Sequence, residues 1–207
     1  KIFARKYKKT NINQLNLNKL YTYADYLLWQ FSERIELLRG KIFKMSPAPN
    51  MRHQSISGRL FGELYVAFRD KKCRLFAAPF DVRLPQKGKA DEQIYTVLQP
   101  DICVVCDPEK LDSRGCLGAP DLVIEILSPS NSQRDLKDKY ELYQEAGVPE
   151  YWIVRPEEQS ITIYVLKDGL YSASRPVVEG EWVHSATFPA LEIDTKTIFN
   201  DPITSDK

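Results

Sequence analysis

Two histidines, two methionines and four cysteines are the whole stock of softer metal-binding side chains in this chain of 207 residues. His53 and His184 stand far apart, and only Cys103 and Cys106 are spaced as Cys-x-x-Cys, with Cys116 the nearest further candidate. A structural zinc site wants four ligands at matched spacing. If 101–106 is a strand, those two cysteines also point to opposite faces. Reduced thiols in a cytoplasmic protein are therefore the expectation for Cys73, Cys103, Cys106 and Cys116. No apolar run approaches the roughly 18 residues that would cross a bilayer, so no membrane segment is expected. Net charge is scarce too: 29 basic against 28 acidic residues leave +1. That excludes global steering toward polyanions and leaves any nucleic-acid surface to a local patch. Internal repeats and low-complexity tracts are absent. Residues 1–9 contain no long apolar core and no small-residue cleavage site, so they do not read as a secretory signal. The first residue is not Met, and native residues are expected to precede it.

What the chain does have is a 43% hydrophobic content, enough for one sizeable core and one domain. That domain is expected over residues 20–195, between a Lys- and Asn-rich, partly loose segment 1–19 and a tail 196–207. Thr22 can cap a helix over 23–31. Residues 34–38 and 41–45 read as two strands joined at Arg39-Gly40. A second helix, 53–69, carries Ile56, Leu60, Leu64 and Phe68 at intervals of four. Residues 75–84 read as one strand bent near Pro79, 94–98 and 101–106 as extended, and 107–120 as a charged loop. Leu122-Val-Ile-Glu-Ile-Leu127 is a strong strand. A helix follows over 133–146, with Ser132 and Asp135 fitting a capping box and Gly147 ending it. Further strands are expected at 151–154 and 161–166, with short β-like runs at 182–184 and 191–193. This order defines a mixed α/β (α+β) domain with a largely continuous central sheet flanked by helices.

The helix over 133–146 contains the most informative residue. At about 100° per residue, Leu136, Tyr140, Leu142, Tyr143 and Ala146 share one face, while Lys137, Asp138, Glu141, Gln144 and Glu145 share the other. Lys139 and Asp135 fall inside the apolar arc. A buried ammonium requires a carboxylate or another acceptor. Three carboxylates pose the mirror problem: Glu125 in the middle of a strand that reads as buried on both faces, Asp101 at the head of Ile102-Cys103-Val104-Val105 after Pro100, and Glu36 between Ile35 and Leu37. Hard oxygen ligands of this kind suit Mg²⁺ or Mn²⁺, and an ammonium beside such an ion can orient water or meet developing phosphorane charge.

Each residue alone has a plainer reading. Glu125 could lie at a sheet edge, Asp101 could be a turn residue, and Glu36 could pair with Arg34 or Arg39. Asp135 suits a cap better than a ligand site, and Lys139 could snorkel outward along its alkyl stem. One arrangement, however, answers all the anomalies together.

The residues resemble a known family. Ile35-Glu36-Leu-Leu-Arg-Gly40, Met45-Ser-Pro47, His53, Pro100-Asp101, Gly118-Ala-Pro-Asp-Leu-Val-Ile-Glu-Ile-Leu-Ser-Pro-Ser130, Arg134-Asp-Leu136, Lys139, Tyr143 and Ala146-Gly-Val-Pro-Glu-Tyr-Trp-Ile-Val154 resemble the Uma-type putative restriction endonuclease family of the PD-(D/E)XK nuclease superfamily. The likeness runs from about residue 20 to about 195, and 118–154 is its specific part. It implies a restriction-endonuclease-like fold and Mg²⁺- or Mn²⁺-dependent cleavage of DNA phosphodiesters leaving a 5′-phosphate. Asp101 and Glu125 would hold the metal, with Glu36 assisting it or its water. The motif lysine should stand two residues after Glu125, where this chain has Leu127; Lys139 on the following helix would supply it. His53 matches a family position and reads first as a structural histidine. Cutting both strands needs two sites, so a homodimer is expected. Two rivals stand beside this: a catalytically inactive module of the same fold that binds DNA or a protein partner, and a phosphodiesterase or RNA-directed nuclease of the same chemistry. The basic residues 1–9 read as a solvated tail before they read as a phosphate contact.

Overall fold

The computed structural model describes residues 10–45, 50–86, 88–128 and 133–200, with the side chains of 133–135 left out. Helix α1 (Tyr23–Tyr26) starts where the Asp25 carboxylate takes the Thr22 amide at 3.1 Å. It is shorter than the 23–31 expected. After Tyr26 the chain tightens into three-residue bonds, Leu28 N to Asp25 O and Trp29 N to Tyr26 O. Arg39 and Gly40 then both take positive φ, 49° and 82°, as the favoured two-residue hairpin turn requires. Strand β1 (Ile35–Leu38) folds back on β2 (Lys41–Lys44) with Glu36 opposite Phe43.

Helix α2 (Met51–Phe68) is capped by Asn50, whose side chain accepts from the His53 amide. Its buried stripe is Ile56, Leu60, Leu64 and Phe68, with His53 one turn before it. Strands β3 (Arg74–Ala77), β4 (Val82–Arg83), β5 (Val97–Leu98) and β6 (Ile102–Val105) follow. The expected charged loop 107–120 instead contains a small hairpin, β7 (Leu111–Asp112) and β8 (Gly115–Leu117). Gly115 is needed there: φ is 122°, and a Cβ would lie 2.2 Å from the Asp81 carbonyl oxygen. Next come β9 (Leu122–Ile126), α3 (Gln133–Ala146), β10 (Glu150–Arg155), β11 (Ser160–Lys167), β12 (Leu170–Ala173), β13 (Val177–Val178), β14 (Trp182–His184), β15 (Glu192–Asp194) and α4 (Thr195–Phe199). Gly147, at φ 81°, follows α3 as expected. The Ser132–Asp135 capping box lies outside the described residues.

The mixed α/β class holds, but the strands form three sheets where one largely continuous sheet was expected. One has the order β2-β1-β5-β4-β8-β7, another β12-β11-β10-β9-β6-β3 with β13 beside β11, and β14 pairs with β15. The chain passes between the two large sheets at Pro79, between β3 and β4, and at Pro100, between β5 and β6. Proline has no N–H to give to a ladder, so each ends one set of pairings and frees the chain to enter the other. For this reason 75–84 is two strands and not one bent strand.

All five residues of β9 are buried, and the alternation of their side chains between its two faces sets the layers. Leu122, Ile124 and Ile126 pack with α2, α4 and the β14–β15 hairpin. Val123 packs the other way, with Cys103, Val105, Tyr151 and Ile153, against α3 and the inner face of the six-stranded sheet. A third cluster, including Ile12, Tyr23, Leu37 and Val97, covers the outer face of that sheet. Each such fully buried side chain contributes about 1.5–3 kcal/mol of transfer free energy.

Cys73 and Cys106 form a disulfide, which corrects the expectation of reduced thiols. The β3–β6 register pairs Arg74 with Val105, so the residues one step beyond it meet. Cys103 and Cys116 are free and buried. Among the described residues no helix is long and apolar enough to cross a membrane.

Candidate active site

Alternation brings the acidic residues together. β6 and β9 run antiparallel with Ile102 opposite Ile124, so one step further Asp101 lies opposite Glu125. Glu125 shares the parity of Val123 and points into the layer beneath α3. β1 presents Leu38 to that same layer and Leu37 to the outer cluster, so Glu36, two residues before Leu38, also points inward. α3 lies across the junction of the two sheets and brings Lys139 to both.

Lys139 Nζ lies 3.0 Å from Glu36 Oε1 and 2.9 Å from Glu125 Oε1. The side chains of Glu36 and Glu125 are 6% and 8% exposed and that of Lys139 is 13% exposed, which rules out the snorkelling and sheet-edge readings. Glu36 does not pair with either neighbouring arginine: Arg34 binds Gln99 Oε1, and Arg39 bonds Glu145 on the surface of α3. Glu36 Oε1 instead accepts a second bond from the Gln99 amide at 2.8 Å. The Gln99 side chain is itself fixed by Arg34, Tyr26 and Asp81.

Asp101 is not a simple turn residue. Its Oδ2 accepts from the Ile126 amide at 2.7 Å, locking it to β9, and lies 3.3 Å from His53 Nε2. It makes no bond to Lys139, and at 20% side-chain exposure it is the most open of the four. His53 is 7% exposed, as the structural reading required, but its partner is the candidate ligand Asp101. Asp135 belongs to α3, and its side chain lies outside the description.

Two contributors were not singled out as site residues from sequence. The Tyr143 hydroxyl donates to Glu125 Oε1 at 2.8 Å, and Gln99 holds Glu36. Tyr143 had been placed on the apolar face. The signal available was its spacing from Lys139: positions i and i+4 stack on one stripe.

Electrostatics separates the members. Burial raises the Glu125 carboxyl to about 7; Lys139 opposes that rise, while Asp101 and Glu36 add to it. Burial works against the Lys139 ammonium, but Glu125 and Glu36 outweigh it and move the group upward. Burial first, then Glu125, holds the Tyr143 hydroxyl well above its ordinary value, so it stays a donor. Burial lowers His53 while the bond to Asp101 raises it, and the raising prevails. The ammonium is secure and the Glu125 charge is not: Glu36 and Glu125 share one lysine, and Asp101 adds a third acidic group without a bond to it.

Among the described residues no three His, Cys, Asp or Glu side chains form a ready metal cage. What is assembled is a pair of carboxylates on adjoining strands, with a lysine between one of them and a third acidic group. Mg²⁺ is ordinarily held by one or two carboxylates with waters and substrate phosphates completing its shell, so a pair fits this ion better than it fits zinc or calcium.

The structure is a mixed α/β domain with acidic groups on adjoining strands and a lysine on the following helix. The family model Uma2, described as putative restriction endonuclease, matches residues 23–196, and the chain belongs to that family. It is 26% identical over 162 residues to the uncharacterized protein slr1290 of Synechocystis sp., covering 77% of this chain and 76% of that one. A solved structure, of a putative nuclease from Anabaena variabilis, superposes with a TM-score of 0.66 at 22% identity, over 86% of this chain and 97% of that one. At that identity the likeness shows a shared fold.

Proposed function

We propose that this chain is a Mg²⁺- or Mn²⁺-dependent DNA endonuclease that hydrolyses phosphodiester bonds. The observation that carries the reading is Lys139 lodged between Glu36 and Glu125, with the Asp101 carboxylate bonded to the Ile126 amide of the same strand as Glu125, an acidic site with more carboxylate than its one ammonium can neutralise. Asp101 and Glu125 would hold the cation, and Glu36 would support it. Bound there, a divalent ion would polarise the scissile phosphate and screen its charge. The chain's own groups do the rest. An ammonium has three N–H donors; Lys139 commits two of them to Glu36 and Glu125, and the third is available to orient the attacking water or to meet charge building on the phosphoryl oxygens. Gln99 fixes Glu36 and so fixes Lys139. Cutting both strands of a duplex takes two such sites, which a homodimer would supply.

The test is cleavage of supercoiled and single-stranded DNA in Mn²⁺ by wild type and by Lys139→Ala. Wild type should cut, and the variant should be slower by about two to three orders of magnitude, the usual effect of removing one preorganised donor. Equal rates would remove Lys139 from the mechanism. No cutting and no cation binding by the wild type would favour an inactive module of the same fold. Preference for RNA in the same assay would redirect the substrate.

A further inference from the structure

Asp101 and Glu125 are each gripped by one oxygen. The Ile126 amide and His53 Nε2 both fall on Asp101 Oδ2, at 2.7 and 3.3 Å. Lys139 Nζ and the Tyr143 hydroxyl both fall on Glu125 Oε1, at 2.9 and 2.8 Å. Among the described residues, Asp101 Oδ1 and Glu125 Oε2 have no hydrogen-bond partner. Donors shared across both oxygens would satisfy a carboxylate; donors stacked on one oxygen fix its orientation and leave the other oxygen bare.

We infer that His53 and Tyr143 are positioning residues, each locking one carboxylate oxygen so that Asp101 Oδ1 and Glu125 Oε2 are kept for a divalent cation. The inference rests on the metal-dependent reading above. The two residues act from opposite faces of the seven-stranded sheet, because α2 packs with Ile102, Ile124 and Ile126 and α3 with Cys103 and Val123. Tyr143 stands one turn after Lys139, so a single stripe of α3 brings an ammonium and a hydroxyl to the same atom. His53 occupies the first turn of α2, where Asn50 caps its amide. Its other ring nitrogen, Nδ1, is buried and has no hydrogen-bond partner among the described residues. Buried polar atoms are nearly always satisfied, and an unsatisfied one costs about 1–3 kcal/mol. A histidine serving the core alone could be replaced by an apolar residue without that cost. The grip on Asp101 is the return that a structural role does not supply. Residues that orient metal ligands commonly change metal affinity by about 10–100-fold when removed.

Calorimetric titration of Mn²⁺ into full-length wild type, Tyr143→Phe, His53→Ala and His53→Gln tests this. Tyr143→Phe removes only the hydroxyl, and His53→Gln keeps an N–H able to reach Oδ2. The expected result is a Kd raised about 10–100-fold in Tyr143→Phe and in His53→Ala, with His53→Gln restoring most of the affinity and thermal melts showing all variants folded. A structural role alone would lower melting temperatures and leave Kd unmoved. Hydrogen exchange at the Ile126 amide of the wild type gives a second readout that needs no variant. If Oδ1 takes the ion, Oδ2 stays bonded to Ile126 and exchange stays slow when Mn²⁺ is replaced by saturating diamagnetic Mg²⁺; faster exchange with bound Mg²⁺ would overturn the assignment. Wild type that binds no cation overturns the metal reading and this inference with it. Cation binding of equal strength in wild type, Tyr143→Phe and His53→Ala overturns the inference alone.

Discussion

Glu125 and Glu150 sit on neighbouring strands of the same sheet, both buried, and are treated in opposite ways. Glu150 begins β10 and is fully buried. Its two oxygens are shared among three neutral donors: Trp152 Nε1 on Oε1 at 2.6 Å, and Ser185 Oγ and the Thr187 amide on Oε2 at 3.0 and 2.6 Å. It thereby ties the segment between β14 and β15 to the sheet. Glu125 points to the opposite face, has a cation and a hydroxyl on one oxygen and no partner on the other among the described residues, and has two more carboxylates for neighbours. A carboxylate buried for architecture has donors on both oxygens. Glu125 Oε2, without a donor among the described residues, and the like charge around it are the features on which the proposed cation site rests.

The sharpest way to break this contrast is to make the same change at both positions. Glu125→Gln should lower cleavage by about two orders of magnitude or more, the scale on which single preorganised groups act. Its melting temperature should hold or rise at neutral pH: the amide keeps its carbonyl toward Lys139 and Tyr143, and relief of the like charge beside Asp101 and Glu36 offsets the cost of an NH₂ on the side where no partner is described. Glu150→Gln should do the reverse. Every partner of Glu150 is a donor, so whichever way the amide turns, its NH₂ confronts a donor and leaves it unsatisfied. The cost is about 2 kcal/mol, or roughly 4–8 °C of melting temperature for a chain of this size, with cleavage per folded molecule unchanged. Calorimetric melts beside DNA cleavage read both arms. Stability lost at Glu125 and activity lost at Glu150 would invert the assignment.

The pH dependence of stability sharpens the contrast. The folded Glu125 carboxyl titrates near 7 against an ordinary 4.5, so between those values the folded chain holds a proton that the unfolded chain has released. Stability from this group is complete below about pH 4.5 and is lost as pH rises toward 7. At about 1.4 kcal/mol per pKa unit the loss is on the order of 3 kcal/mol, lessened by whatever rearrangement the ammonium and its partners allow. Denaturant melts from pH 4.5 to 7.5 should show this fall in wild type and a flatter profile in Glu125→Gln. Identical slopes in the two proteins would mean that Glu125 is ionised throughout.

The sequence was most legible where one residue contradicted its own surroundings. Lys139 on an apolar stripe and Glu125 within an apolar strand could be noticed because periodicity assigns faces without knowledge of the fold. The hairpin at Arg39-Gly40, the stripe on α2 and the full extent of α3 follow from the same local rules. Legibility ended where pairing between distant strands decides the outcome. Nothing local says that β3 lies beside β6, so the meeting of Cys73 with Cys106, 33 residues apart, was read as two separate thiols. The two- and three-residue strands of the β7–β8 hairpin are too short to show alternation, and their anchor, buried Arg83 bonded to Asp112 at 2.7 Å, crosses from another strand. Tyr143 was hidden differently: a tyrosine on an apolar face satisfies the hydrophobic pattern, and its hydroxyl makes no demand until an acceptor is placed above it.

The weakest contacts on α3 give the smallest expected effect and the cleanest control. Arg39 reaches from the β1–β2 turn to Glu145 at 2.5 Å and to Glu141 at 3.7 Å, all three side chains being 39–46% exposed. This is the only ion pairing among the described residues that joins α3 to the hairpin from outside, so it could be thought to hold Lys139 in place. Exposed pairs contribute about 0–1 kcal/mol, whereas α3 buries Leu142 and Tyr143 in the core and commits Lys139 to two carboxylates. Glu145→Ala should therefore change stability by less than about 1 kcal/mol and leave cleavage within about twofold. A larger loss of cleavage without a loss of stability would show that the surface pair sets the pose of α3, and that the inner lysine is held by the outside of its helix as much as by the acids beneath it.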